Sequence, residues 1–335
     1  MMNELEFVPF PKIGQFRQVV KSVRESSAYQ GQDGNNEPVM DYSKPQPIVT
    51  FVGSVKLHGT NAGVCYDPKT GDFYPQSRSH VITIDKDNAA FAFWVEANKE
   101  ELITLCKDYV NTPKDLITVF GEWCGGNIQK GVAITGLPKM FVIFAVKVGD
   151  NWAHSYQIKN VDHTNNIYTT NNFETFSIDI DFNNPDLSVP ELQRLTLLVE
   201  EGCPVGDAFG VQGVGEGIVW TADFHGPHRF KVKDERHSAS RVKKLASVDI
   251  EKLNSINKFV DYAVTESRLE QGIDVVFTQA SSDIDIKMLG DFLKWVMRDI
   301  ISEEVDTLSG NGLEPKDVGK GVSVKARTWF KEKYL

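Results

Sequence analysis

A lysine stands between an apolar strand-like run and a glycine turn in Val55-Lys56-Leu57-His58-Gly59-Thr60-Asn61. Such a lysine is either a surface residue that lays its stem along apolar neighbours or a sheltered amine with a task. The task would be nucleophilic, because a lysine that has lost its proton attacks an electrophile. Groups that could serve such an amine are spread along the chain. Glu122 and Glu216 each close an apolar run beside a glycine, where a carboxylate faces a cleft or simply meets solvent. Lys231 and Lys233 alternate with Phe230 and Val232 and so share one face of a strand, as phosphate-binding cations or as two outward residues. Phe144 lies in an aromatic run, Met140-Phe141-Val142-Ile143-Phe144, where a ring either stacks on a base or joins a core. His58 is a site residue or a hydrogen-bonded turn histidine.

These side chains need elements to hold them. From Ile48 to about Lys244 short runs rich in Val, Ile, Phe and Tyr alternate with Gly, Pro and Asp turns and read as strands. Helical spacing is expected around Phe16–Val23, between Ala89 and Val110, and from Ser188, where Glu191 follows three residues on and Gly202 is a stop, a capping-box layout. The stretch Ser26–Gln46, rich in Gly, Asn, Ser and Pro, favours loop. Beyond Lys244 helical periodicity takes over. Leu289, Phe292, Leu293, Val296, Met297 and Ile300 form one apolar stripe. The class expected is α+β on antiparallel sheets, residues 1–246, followed by a small all-helical domain, residues 247–335.

In order along the chain, KLHGTN, Ser77-Arg78-Ser79, Phe120-Gly121-Glu122-Trp123 with Gly125-Gly126-Asn127-Ile128-Gln129-Lys130, Met140–Phe144, Glu216-Gly217-Ile218-Val219 and Phe230-Lys231-Val232-Lys233 resemble the motifs of the RNA ligase 2 family of ATP-dependent polynucleotide ligases. Any one tetrapeptide is weak; six in register are not. The resemblance implies an ATP-grasp-like covalent nucleotidyltransferase domain in which Lys56 takes AMP from ATP. It further implies ATP contacts from Val55, Lys56, Leu57, His58, Asn61, Arg78, Glu122, Phe144, Glu216, Lys231 and Lys233. Glu122 would hold the ribose, Phe144 stack on adenine, and Lys231 and Lys233 touch the adenylate phosphate. Glu216 is the candidate ligand for Mg²⁺ or Mn²⁺, since a metal bridging phosphate oxygens needs hard oxygen donors. In the tail, Thr265 and Arg268, three apart on a helix, resemble residues that engage RNA. Two departures stand out. Ala145 replaces a common Asp and Thr221 a common Lys, which removes a polar anchor and a positive charge.

The expected activity is an RNA ligase that seals 3′-OH/5′-phosphate nicks in double-stranded RNA or an RNA–DNA hybrid. A DNA ligase or a capping guanylyltransferase is disfavoured, because both usually carry KxDG and an OB-fold after the last motif. A nucleotide- or RNA-binding module without turnover is the alternative from another class. The net charge of −10 opposes a protein that coats nucleic acid, yet residues 225–244 hold seven Lys/Arg against two acids, so RNA has a place to dock. No apolar run is long enough to span a membrane, and the start lacks a secretory layout, so a cytoplasmic monomer is expected. The four widely spaced cysteines support neither a zinc ribbon nor a disulfide framework.

Overall fold

Along Ile48–Val55 every second residue is buried, namely Val49, Phe51, Gly53 and Val55, and this alternation sets one face of a strand (β3) in a core. The computed structural model describes residues 5–109, 115–154, 158, 164–233, 256–277, 286–310 and 313–334. In it β3 lies between β10 (Thr175–Asp181) and β11 (Gly217–Asp223), and β12 (Pro227–Lys233) continues this antiparallel sheet. A second sheet runs in the order β5 (Phe73–Ser77), β4 (Gly59–Tyr66), β6 (Ile117–Cys124), β7 (Met140–Val148), β8 (Asn151–His154). Its neighbours are antiparallel, and the short β9 (Ile167–Thr169) adds to β7 in parallel.

Helices cover the greasy faces. Phe51, Val55, Trp220, Phe230 and Val232 of the first sheet share a core with Phe16, Val19 and Val23 of α1 (Phe16–Ala28), Leu192 and Val199 of α4 (Val189–Glu201) and Val205 of the short α5 (Pro204–Ala208). Val64, Val119, Phe141 and Ile143 of the second sheet bury Phe91 and Val95 of α2 (Phe91–Ala97) and Leu102 of α3 (Lys99–Lys107). The tail has its own core. Phe259, Leu269, Phe292, Val296, Ile300, Val322 and Phe330 gather from α6 (Ile256–Ala263), α7 (Glu266–Phe277), α8 (Leu289–Gly310) and α9 (Pro315–Tyr334). The α+β class with antiparallel sheets and C-terminal helices is thus the one adopted.

Three details differ from the sequence reading. Ser26–Gln46 is not all loop, because α1 runs on to Ala28 and a hairpin follows, β1 (Tyr29–Gln32) and β2 (Pro38–Met40). The Asp33 carboxylate closes its turn by accepting from the backbone of Asn35 and Glu37. Between Ala89 and Val110 there are two short helices, broken at Asn98. Ser188 does not cap α4 through its side chain: the chain enters from a 3₁₀ turn, Pro185–Ser188, that already leaves Ser188 helical, and Glu191 pairs with Arg194 instead. The expected boundary at residue 246, with Arg236 and Arg241, lies outside the described residues.

All four cysteines are buried and free. Among the described residues no helix is long and apolar enough to cross a membrane.

Candidate active site

The lysine at the end of β3 is fixed twice. Its backbone N–H donates to Gly217 O at 2.8 Å, and its Nζ lies 2.6 Å from Glu216 Oε2. Gly217 has φ +135°, a conformation that favours glycine, and this turn sets the carboxylate of Glu216 just ahead of β11 and under Lys56. Glu216 is only 2% exposed, so the pair sits at the wall of the sheet and not on its surface. His58 Nδ1 reaches the same oxygen at 3.1 Å. Gly59 follows, where any side chain would strike the backbone of Trp123 across the ladder, and its N–H donates to Glu122 Oε1 at 3.1 Å.

Lys56, His58, Glu216 and Glu122 therefore converge. Burial drives the Glu122 carboxyl up to about 7, and Glu216 adds to this, while Lys56, the Gly59 N–H and Arg78 pull the other way. Asn61 faces Glu122 across the ladder in register. Arg78 is exposed on the bend just after β5, one residue beyond the strand in which it was expected. Val55 and Leu57 are buried on either side of the lysine.

Strand register sorts the remaining residues. Ser54 is opposite Val219, and Val219 is opposite Lys231, so Lys231 lies on the same sheet face as Lys56, two strands away. Its Nζ is 3.4 Å from Glu303 of α8, a carboxylate that no local motif marks, and Lys12 meets that carboxylate at 3.0 Å. Lys233 closes β12 opposite Gly217. Two carboxylates are thus the neighbours of Lys56, and Lys231 is engaged by the tail.

Phe144 sits at an irregularity in the pairing of β6 with β7, half-buried, edge-on to Phe10 at 5.0 Å. Phe10 and Trp152 also hold the Arg229 guanidinium between them, at 5.0 and 4.8 Å. This aromatic group of Phe10, Phe120, Phe144 and Trp152 was not visible in the sequence, because its members come from four separate segments.

Arg268 is 6% exposed and turned inward, with Nε 2.9 Å from Asp299 and Nη2 3.3 Å from Glu304, and it also donates to Ala263 O. Thr265 Oγ1 accepts from the Arg268 N–H at the start of α7. As placed, Arg268 ties α7 to α8 from within the tail, and Thr265 stands half-buried at the start of α7.

Among the described residues no group of three or more His, Cys, Asp or Glu could hold a metal by itself. The single buried carboxylate of Glu216 suits a magnesium-like ion, which commonly keeps one or two protein carboxylates and takes its other ligands from elsewhere.

A family model described as RNA ligase matches residues 49–233, more than half of the 335-residue chain. No curated protein matches the chain. Among solved structures the chain is similar to a Naegleria gruberi RNA ligase with pyrophosphate, at 15% identity and a TM-score of 0.43, over 69% of this chain and 57% of that one. It is also similar to a mutant of the Naegleria ligase with ATP and Mn, at 14% identity and a TM-score of 0.41, over 72% and 59%. A putative ATP-dependent DNA ligase from Aquifex aeolicus follows at 10% identity and a TM-score of 0.43, over 98% and 68%. The chain spans less than two thirds of the length of the Naegleria ligase.

Proposed function

The chain belongs to the RNA ligase family, and on that premise we propose that it joins RNA ends through a covalent adenylate carried on Lys56. The observation that carries the reading is the contact of Lys56 Nζ with the buried Glu216 carboxylate at 2.6 Å. An ammonium is no nucleophile, so Lys56 must lose a proton to solvent and leave Glu216 before it attacks. The amine then bonds to the α-phosphorus of ATP, the bond to the β-phosphate oxygen breaks, and pyrophosphate leaves. In the second transfer the phosphate of an RNA 5′ end attacks that phosphorus, and Lys56 leaves and regains its proton. In the third, a 3′-OH attacks the activated 5′-phosphorus and expels AMP, which closes the strand.

Around the reacting atoms the chain supplies position and charge. Glu122, half titrated near neutral pH, offers a hydrogen-bond donor or acceptor toward a ribose hydroxyl. Mg²⁺ or Mn²⁺ would find its protein ligand in Glu216 and would neutralise phosphate charge. Phe144, already in contact with an aromatic neighbour, is the base-stacking candidate, and Asn61 and Arg78 flank the carboxylates.

The proposed substrate is a 3′-OH/5′-phosphate nick in duplex RNA or an RNA–DNA hybrid. Arg268 is paired within the tail, and α9 offers RNA a second, exposed place there. Lys316, Lys320, Arg327 and Lys331 are exposed on α9 at spacings of four, seven and four, which is one helix face. Incubation with α-labelled ATP and Mg²⁺, followed by denaturing electrophoresis, should leave label on the chain and none on Lys56→Arg, whose guanidinium keeps its proton. Label retained in that variant would sink the assignment of Lys56.

A further inference from the structure

Lys12 and Lys231 are 219 positions apart in the chain, yet both ammonium groups point at one carboxylate. Glu303 Oε1 lies 3.0 Å from Lys12 Nζ and 3.4 Å from Lys231 Nζ, with its side chain 13% exposed. Lys12 also donates to Ser302 Oγ, and Gln15 Nε2 donates to the Glu303 carbonyl at 3.2 Å. Burial alone would raise the Glu303 carboxyl, but the two lysines outweigh it and hold it below the ordinary range.

The tail does not bring the lysines together. Gly14 O accepts the Lys231 N–H at 3.2 Å, and Gly14 bridges Phe230 in parallel, so the Lys12 segment is tied to β12 by main chain. Phe16 packs on Phe230 beneath it, at 5.0 Å between rings. The main-chain tie thus holds the Lys12 segment beside Lys231 at the sheet edge independently of Glu303. Within the trio, two positive charges face one negative. A phosphate with nearly two negative charges at neutral pH matches the lysine pair better than a carboxylate does, and lysine binds phosphate as a point charge.

The resemblance already gives Lys231 a phosphate contact; we propose that Lys12 completes an anion site with it that takes a phosphate group during the reaction, and that Glu303 occupies this site here in place of phosphate oxygens. By register the site shares the sheet face of Lys56. Two sources of phosphate reach that face on the ligase reading, on which the choice of ligand rests: the β,γ-phosphates of ATP and the 5′-phosphate of an RNA end. Either one competes with Glu303, so filling the site loosens α8 from the sheet.

The test is equilibrium binding to the full chain, without turnover, by calorimetry. Inorganic pyrophosphate is one probe; a 5′-phosphorylated oligoribonucleotide compared with its 5′-hydroxyl twin is the other. Glu303→Gln, which keeps shape and removes charge, should tighten binding about fivefold or more, because the docked state no longer competes. Adding Lys12→Gln should reverse that gain, and Lys12→Gln alone, which lies outside the tail core, should weaken binding by a similar factor. Thermal melting checks that each variant is folded. A response to pyrophosphate assigns the site to the nucleotide, and one confined to the 5′-phosphorylated strand assigns it to the RNA end. Unchanged affinity for both probes in folded Glu303→Gln and Lys12→Gln would overturn the site. Because no step is catalytic, absence of label on Lys56 with an intact pyrophosphate response would remove the ligase reading and leave this site standing.

Discussion

The nucleophile candidate and its carboxylate partner cannot be changed independently. Glu216 is almost wholly buried, so Lys56→Ala strips a cation from a charge that water cannot reach. Breaking a fully buried pair typically costs about 3–5 kcal/mol. Because Lys56 is 22% exposed and His58 also contacts Glu216, a smaller loss of roughly 2 kcal/mol is expected, read from urea midpoints. Lys56→Arg should keep most of that stability while losing all ATP label, so paired measurements separate folding from chemistry. Glu122 gives a pH test. Its folded value of about 7 lies above the ordinary 4.5, so folding favours the protonated form. That stabilisation is fully present below pH 4.5 and is lost as pH rises through 7. Wild type should therefore lose stability relative to Glu122→Gln between pH 5 and pH 8. His154, lowered to about 4 by burial and by Arg229, acts in the opposite sense: its contribution is present above pH 6.5 and fades as pH falls. It is common to both proteins, and the difference curve isolates Glu122.

α8 is held at a kink. Glu304 departs from helical geometry (φ −115°, ψ 17°) and is completely buried against Arg268 and the Tyr262 hydroxyl. Arg268→Ala would leave Glu304 and Asp299 facing each other without their cation, and about 3–5 kcal/mol of tail stability should go with it. A lowered first melting transition in the full chain, with ATP label retained, is the outcome to look for. Periodicity could not have foretold this. The spacing of Phe292, Val296 and Ile300 reveals which face of α8 is greasy, and that face is indeed the buried one. Whether an arginine on α7 points out or in depends on acids more than 30 positions away, and no local pattern carries that information. The hairpin after α1 escaped notice for a related reason: both its strands are largely exposed, so they lack the apolar alternation by which β3 announces itself. Glu122 and Glu216 could be singled out because each closes an apolar run beside a glycine, but no local pattern showed that both would meet Lys56. The Lys12–Glu303 contact joins segments that neither motif nor period connects.

Charge is distributed unevenly over an acidic chain, since α9 alone carries six lysines and arginines against two acids. Replacing Lys320, Arg327 and Lys331 with Gln should lower the log–log salt slope of RNA binding by about 2 to 3, at roughly 0.9 per phosphate neutralised. ATP labelling should hardly respond to salt, because its charges meet at contact distance behind a protein wall. An unchanged slope would place the RNA on a different face. The order of the strands has a consequence for how the protein comes into being. β3 pairs with nothing near it in the chain: Val52 finds Ser177 on one side and Thr221 on the other. Such long loops must close before their contacts repay the lost entropy. At about 5–20 residues per second, a ribosome needs on the order of 10 to 35 seconds to travel from Lys56 to Lys233. For that interval Lys56 is synthesised but has no Glu216 beside it, and a nascent chain stalled before β11 carries it as an ordinary side chain without its carboxylate partner.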